Sequence, residues 1–431
     1  MLVPMLIFRR MTAPLTAWVE RWSAILPLLL AELVVWLGFG ALLPVMPLYF
    51  RDHGVDLATL GIVTAAWPAA RLVGEPIFGW LADRVPRVPL MVAGTAGAAV
   101  FQFLPLVFVG PVPFVVLRAL QGLATSMYDP AARGYITDAT PPERRGEAFG
   151  LYSAAQMGGL LLGPAIGGLG TAYLGGVGFV FVFGALSSLV AAGVMAVRVR
   201  ETPHLAGGQP IASFDATEFP PRPRLPHVGA PVERAAPAVG LRNRLLVAAL
   251  VINVGGNFAA GTYDVVWSIY LQGLGAGIEL IGFTFAMFGL PILVLSPGFG
   301  RRVDRGGVVR YLVIGGLAPA ITGVLYTVMP GTGWAVPLIL VEATGFAMLN
   351  PALFAMVAAG SPPGRSSTAQ GIFGASGTIG FVVASLLSGV LAEADIRLPF
   401  YAFSTVMLVC LVGGLAVGGT ALNRVGRRHN V

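Results

Sequence analysis

Seven ionisable side chains fall inside long apolar runs of this chain: Glu32, Arg71, Glu75, Arg118, Asp129, Asp264 and Glu342. A charge at the centre of a bilayer costs about 2.5–3.5 kcal/mol even on the mildest scales, so such groups face a cavity or a partner and mark functional sites. Glu32 lies about ten residues from the inner end of its run, and Arg71 sits at a similar depth, so a Glu32–Arg71 pair is one option. Arg71 and Glu75 share a helix face at i, i+4 and can also pair locally. Asp129 lies toward the inner side of its run. Asp264 is near the outer end of its own, where a merely interfacial position is the alternative. Glu342 has no arginine in its run and is a candidate to carry a proton or to meet a cationic substrate. Glu32, Asp129 and Glu342 are thus the candidate proton carriers. Arg71, Gln121, Tyr152, Gln156, Asn253, Asn257 and Asp264 are candidate walls of a substrate cavity. Trp67, Tyr263 and Trp267 can contact an apolar or cationic ligand, with interfacial anchoring the alternative for the last two.

Enzymatic chemistry has no matching constellation. The four histidines (His53, His204, His227, His429) fall in expected loops, and the single cysteine, Cys410, reads as a small buried hydrophobe. The embedded groups form no nucleophile–base pair and no metal-ligand set, and no phosphate-binding loop is visible, so neither metal, cofactor nor ATP is expected.

The elements that position these charges are membrane spans. Of the 431 residues 56% are hydrophobic and only 11% charged, against roughly 25% charged in soluble domains. Twelve apolar runs are long enough to cross a bilayer, near 24–50, 57–80, 88–110, 112–136, 147–172, 175–197, 244–271, 278–300, 308–329, 333–359, 367–392 and 396–420. Their length and lack of alternation exclude a β-barrel. The two sets of six are a duplication. Gly79, Asp83 and Arg84 recur as Gly300, Asp304 and Arg305, each 221 residues later (300 − 79). Tyr49 and Tyr270, Gly61 and Gly282, Asp129-Pro130 and Asn350-Pro351, and Phe179 and Phe400 keep the same offset.

All 27 basic residues are arginine. Arg51 and Arg397 fall on one side of the spans, Arg71 and Arg118 inside them, and the other 23 on the opposite side. By the positive-inside rule that basic side is cytoplasmic and holds both termini. The net charge of +7 is thereby accounted for without nucleic acid. Residues 1–23 read as an uncleaved tail, 24–200 as the first six-helix bundle, 201–242 as a Pro-, Gly- and Arg-rich linker, 243–420 as the second bundle and 421–431 as a basic tail.

Four stretches carry a resemblance to the major facilitator superfamily over nearly the whole length. Gly79-Trp80-Leu81-Ala82-Asp83-Arg84-Val85-Pro86-Arg87 resembles the family's loop signature between the second and third spans, departing at Pro86 and Val88. Arg118-Ala119-Leu120-Gln121-Gly122 resembles the fourth-span signature. Gly159-x-x-x-Gly163-Pro164-x-x-Gly167-Gly168 resembles the fifth-span signature of exporters that exchange substrate for protons. Glu201-Thr202-Pro203 after the sixth span is a further family trait. The resemblance implies that Asp83 faces the start of the eleventh span, that Arg84 or Arg87 pairs with Asp138, and that Arg118 is linked to proton coupling. Physically, the small residues at 159, 163 and 167 line one helix face and allow close packing, and Pro164 can bend the helix. With Gly79, Asp83, Arg84, Arg87, Asp138, Gly168, Asp304 and Arg305 they form the candidate gating set.

The expected fold is all-α: twelve membrane helices in two halves about a pseudo-twofold, with a site between them. The expected function is alternating-access transport, with proton-coupled export of a small apolar or cationic molecule in a cell membrane and a monomeric chain. Symport or uniport of a sugar or other metabolite, and a non-transporting sensor, are the alternatives.

Overall fold

In hydrocarbon every backbone N–H and C=O needs an internal partner, so long apolar runs become helices. The computed structural model describes residues 18–141, 144–201, 243–361 and 366–425. Almost all of the expected linker, and much of both expected tails, lie outside the described residues.

The first half comprises α1 (Leu26–Leu42), α2 (Met46–Asp52), α3 (Leu57–Ala82), α4 (Arg87–Phe103), α5 (Pro111–Ala139), α6 (Arg145–Gly170) and α7 (Gly178–Arg198). The second comprises α8 (Arg244–Gly273), α9 (Ile278–Asp304), α10 (Val308–Thr327), α11 (Ala335–Gly360), α12 (Ser366–Ala394) and α13 (Leu398–Gly418). Among the described residues ten helices are long and apolar enough to cross a membrane, or eleven when α1 and α2 are taken as one span bent by 42°. The twelfth expected span is α5. Its 29 residues suffice in length, but Arg118, Gln121, Asp129, Arg133 and Asp138 make it more polar than the others.

Each half packs in the same order. α1 lies against α6 and α7, α3 against α5, and α4 against α5 and α7. In the second half α8 lies against α12 and α13, α9 against α11, and α10 against α11 and α13. The duplication extends to single hydrogen bonds. Tyr49 Oη donates to the Pro105 carbonyl at 2.9 Å, and Tyr270 Oη donates to the Tyr326 carbonyl, with both members 221 residues on. The outer turns repeat too: Gly54 (φ +83°) and Gly275 (φ +87°) both adopt the left-handed conformation that favours glycine.

The glycines of the fifth span join α6 to α1. A Cβ on Gly159 would lie 2.6 Å from the Leu33 carbonyl, and one on Gly163 2.6 Å from the Leu37 carbonyl. Backbone contact this close needs glycine. Gly380 meets Val254 in the same way in the second half.

The halves touch at the ends away from the arginine-rich side. There α3 crosses α12 and α6 crosses α9. Gly61 lies against Gly389 and the Ser385 carbonyl, and Gly282 against Gly168 and the Pro164 carbonyl. These two contacts are images of each other under the 221-residue offset. The Ala58 N–H at the start of α3 donates to Glu393 Oε1 at the end of α12, at 3.1 Å. The basic ends are splayed: a Cβ on Gly150 of α6, Gly298 of α9, or Gly371 and Gly374 of α12 would meet nothing within 4 Å. The molecule is closed on one side and open on the basic side.

Candidate functional site

A cavity of about 490 Å³ lies between the halves. Its wall is largely apolar, aliphatic and aromatic in similar measure, with Trp36, Phe39, Trp67, Tyr263, Trp267, Phe285, Phe288, Phe346 and Phe381 supplying the rings. Asn253, Asn257, Asn350 and Thr284 supply neutral polar groups, and Asp264 and Glu342 are the charged residues in the wall. Among the described residues no arginine lines it.

Each carboxylate is held by its own architecture. Glu342, on α11, is fully buried. It accepts from Tyr263 Oη at 2.6 Å and from Tyr326 Oη at 2.7 Å. Two phenol donors partly offset the desolvation of an ionised carboxylate, which a proton or a cation would otherwise have to neutralise. Asp264, on α8, is 8% exposed, and its Oδ1 has no hydrogen-bond partner among the described residues. Asp264 is thus a buried wall residue, where the sequence left an interfacial position open. Arg118, on α5 of the other half, lies near enough to act on its charge, and the two form no ion pair among the described residues. The Arg118 guanidinium donates from Nη1 to Gln121 Oε1 at 3.0 Å, while its Nε has no partner among the described residues.

Glu32 lies behind the wall on α1 and is fully buried. It accepts from Trp36 Nε1 at 2.9 Å, from Gln156 Nε2 and from Tyr128 Oη. Trp36 belongs to the cavity wall, so Glu32 reaches the cavity through an indole. The Glu32–Arg71 pair does not form. Arg71 is instead bound to Glu75 on its own helix and to Asp129 on α5. Asp129 is on α5, which α3 packs against directly, and two acids satisfy the one guanidinium. Arg71 and Arg118 both lie over the Trp67 ring, at 4.7 and 5.8 Å, so the two arginines also meet the cavity through an aromatic face.

Of the seven cavity residues expected from the sequence, Asn253, Asn257 and Asp264 line the wall, and Arg71, Gln121, Tyr152 and Gln156 do not. Asn253 Nδ2 is occupied by the Phe373 carbonyl at 2.8 Å and Ser376 Oγ at 3.0 Å. It therefore ties α8 to α12 as well as facing the cavity. Trp36, Tyr128, Tyr326 and Asn350 were not singled out by the sequence. Nothing in the spacing marked Trp36 or the two tyrosines as partners of a carboxylate. Asn350 was visible as the repeat partner of Asp129.

At the basic end, Arg87 and not Arg84 contacts Asp138. Arg84 stacks on Trp80, 4.0 Å from the ring centre. The side chain of Asp83 is 73% exposed and lies 3.7 Å from Arg87. It makes no contact with α12 among the described residues, because this end is open. For the same reason Gly79 is in no close approach: its nearest neighbour for a Cβ is Pro130 at 3.7 Å, and Gly300 stands likewise 3.8 Å from Pro351. Arg305 is exposed at the end of α9, and the Asp304 side chain lies outside the described residues. The carboxylate of Glu201 accepts from the Arg87 and Val88 N–H groups at 2.9 and 2.8 Å. It therefore sits at the positive end of α4, a role its position after the sixth span did not disclose.

The Major Facilitator Superfamily family model matches residues 28–341 and 250–421. The chain is 23% identical over 385 residues to an uncharacterised MFS-type transporter of Methanocaldococcus jannaschii, covering 86% of this chain and 92% of that protein. Over 135 residues it is 30% identical to the quinolone resistance protein NorA of Staphylococcus aureus, which is 31% of this chain and 35% of NorA. A bacterial homolog of the human lysosomal transporter Spinster, solved in an inward-facing and occupied conformation, superposes with a TM-score of 0.75 at 13% identity, covering 96% of this chain and 99% of that one. The nucleoside transporter NupG superposes with a TM-score of 0.68 at 14% identity, covering 91% and 98%. The chain belongs to the Major Facilitator Superfamily, and it is a multi-pass membrane transporter of a small molecule rather than an enzyme.

Proposed function

We propose that the protein exports an amphiphilic, aromatic cation in exchange for protons, with the basic side cytoplasmic. The observation that carries this reading is the composition of the wall: apolar with nine aromatic side chains, two carboxylates and, among the described residues, no basic one. A delocalised cation gains from both ring faces and carboxylates in a dry site. Asp264 and Glu342 are the groups where a cation and a proton compete. Whichever binds neutralises the same buried charge, so the two exclude each other, which is the condition for exchange. Arg118, on the other half, supplies a countercharge to Asp264 when the cation has left. Glu32 and Asp129 act behind the wall, Glu32 through Trp36. The partial similarity to NorA supports the multidrug side of this reading.

The amides Asn253, Asn257 and Asn350 favour a second reading, uptake of a hydroxylated metabolite. Binding separates the two. Titration of ethidium into purified protein, followed by fluorescence, is expected to saturate, to weaken about tenfold or more in Asp264→Asn or Glu342→Gln, and to be competed by lowering the pH. Ethidium binding that ignores both substitutions, or saturable binding of a neutral nucleoside or sugar instead, overturns the export reading.

A further inference from the structure

A second, smaller pocket lies at the basic end of the first half, away from the transport cavity. Arg21, Trp22, Ile25, Ala139, Thr140 and Arg144 contribute to its lining, and among the described residues no acidic one does. Its volume of about 30 Å³ admits one water-sized group. Trp22 and Thr140 are 3% and 4% exposed, and neither the indole Nε1–H nor the Thr140 hydroxyl has a hydrogen-bond partner among the described residues. Buried polar groups in native proteins are rarely left unpaired, and two beside one pocket point to an absent acceptor. Arg21 and Arg144 are exposed at its mouth and make no ion pair among the described residues. The pocket has firm walls. Tyr135 Oη donates to the Ala24 carbonyl at 3.1 Å, fixing the start of the first span on α5, and Arg145 Nε donates to the Thr137 carbonyl at 3.1 Å, tying the start of α6 to the end of α5.

Two buried donors beside two guanidinium groups, with no carboxylate partner among the described residues, make a site for an oxyanion. Its level is the basic membrane surface, where the phosphates of a bilayer lie. We infer that this pocket holds a phosphate oxygen of an anionic lipid headgroup, with Trp22 and Thr140 donating to the inserted oxygen and Arg21 and Arg144 neutralising the outer ones. Arginine suits the task, because its planar fork matches a phosphate. The bound headgroup joins the start of the first span to the α5–α6 connection.

The test is the thermal midpoint of the full-length protein in a neutral detergent, titrated with phosphatidylglycerol, phosphatidylcholine or inorganic phosphate. Phosphatidylglycerol is expected to raise the midpoint of the wild type more than phosphatidylcholine does. Thr140→Val, and separately Arg21→Gln with Arg144→Gln, are expected to remove at least half of that rise. The surface pair keeps the comparison available if the Thr140 variant does not fold. Arg301→Gln with Arg302→Gln makes the same charge change elsewhere on the basic side and is expected to keep the full rise. A rise produced by inorganic phosphate, and lost in the same variants, supports the oxyanion site and assigns it to a free anion. The inference is overturned if the pocket variants keep the wild-type response, or if the Arg301/Arg302 control loses as much as they do.

Discussion

Gly389 on α12 is the position where one added methyl group tests how the molecule closes. A Cβ there would lie 2.6 Å from the Leu57 carbonyl oxygen, 3.0 Å from that of Ala58 and 3.0 Å from Gly61 Cα. Ordinary contact begins near 3.4 Å, so α3 and α12 must separate by about 0.8 Å (3.4 − 2.6) at this crossing. The opposing atoms are all backbone and cannot swing aside. Overpacking of this kind costs about 1–3 kcal/mol. The cost falls only on the state in which the outer ends touch, so Gly389→Ala shifts the balance toward the outward-open state by about 5- to 150-fold. The Ala58–Glu393 hydrogen bond across the same crossing is stretched with it. Pulsed electron–electron resonance between spin labels at Asp52 and Ala394, both exposed, reads the outer separation in a Cys410→Ala background. Gly282→Ala, the repeat image of a change at Gly61, is expected to act in the same direction against the Pro164 carbonyl. Gly374→Ala, where a Cβ meets nothing within 4 Å, is expected to leave the distances unchanged. Unaltered distances in folded Gly389→Ala and Gly282→Ala would refute the claim that these glycine contacts are the outer closure.

Glu32→Ala strips the acceptor from Trp36, Tyr128 and Gln156. The buried Tyr128 hydroxyl alone then costs about 1–3 kcal/mol, seen as a lower thermal midpoint, and Glu32→Gln, which keeps a carbonyl oxygen, is expected to lose less. At the basic end a double-mutant cycle on Arg87→Ala and Asp138→Ala is expected to return a coupling of about 1–2 kcal/mol, below that of a fully dry pair because Asp138 is 30% exposed; additive costs would count against the pair. The hydrogen bonds from the Thr59 backbone N–H and hydroxyl hold the Asp56 carboxyl below the usual carboxylate range. Its folded value lies below its unfolded one, so its contribution is present at neutral pH and fades as the pH falls through the folded value. Asp56→Ala is therefore expected to flatten the acid limb of a stability-against-pH curve, and an unchanged limb would show that the cap contributes nothing.

The fold was legible because the duplication was. An offset of 221 residues, found from a charged loop, carries through to Gly61 and Gly282 at the two closures and to the paired tyrosine–carbonyl bonds. The glycine stripe of the fifth span likewise foretold a close backbone crossing, though not that its partner is α1. Partners across helices were harder to read. Whether Arg71 meets Glu32 or Asp129 depends on how helices are rotated about their axes, and depth along a span does not fix that. Tyr128 and Tyr326 escaped notice because spacing along a span does not tell which tyrosine hydroxyl meets a carboxylate on another helix. The exposed Asp83 reflects the open side in this state, a property of conformation that spacing does not encode.

In the proposed exchange, cation and proton compete for carboxylates in the cavity. It is tested most directly by proton movement on addition of an aromatic cation to proteoliposomes containing the wild type, Asp264→Asn or Glu342→Gln. The predicted result is proton movement opposite to the cation in the wild type, reduced about tenfold or more in at least one variant. Cation flux in the wild type with no accompanying proton movement would contradict it.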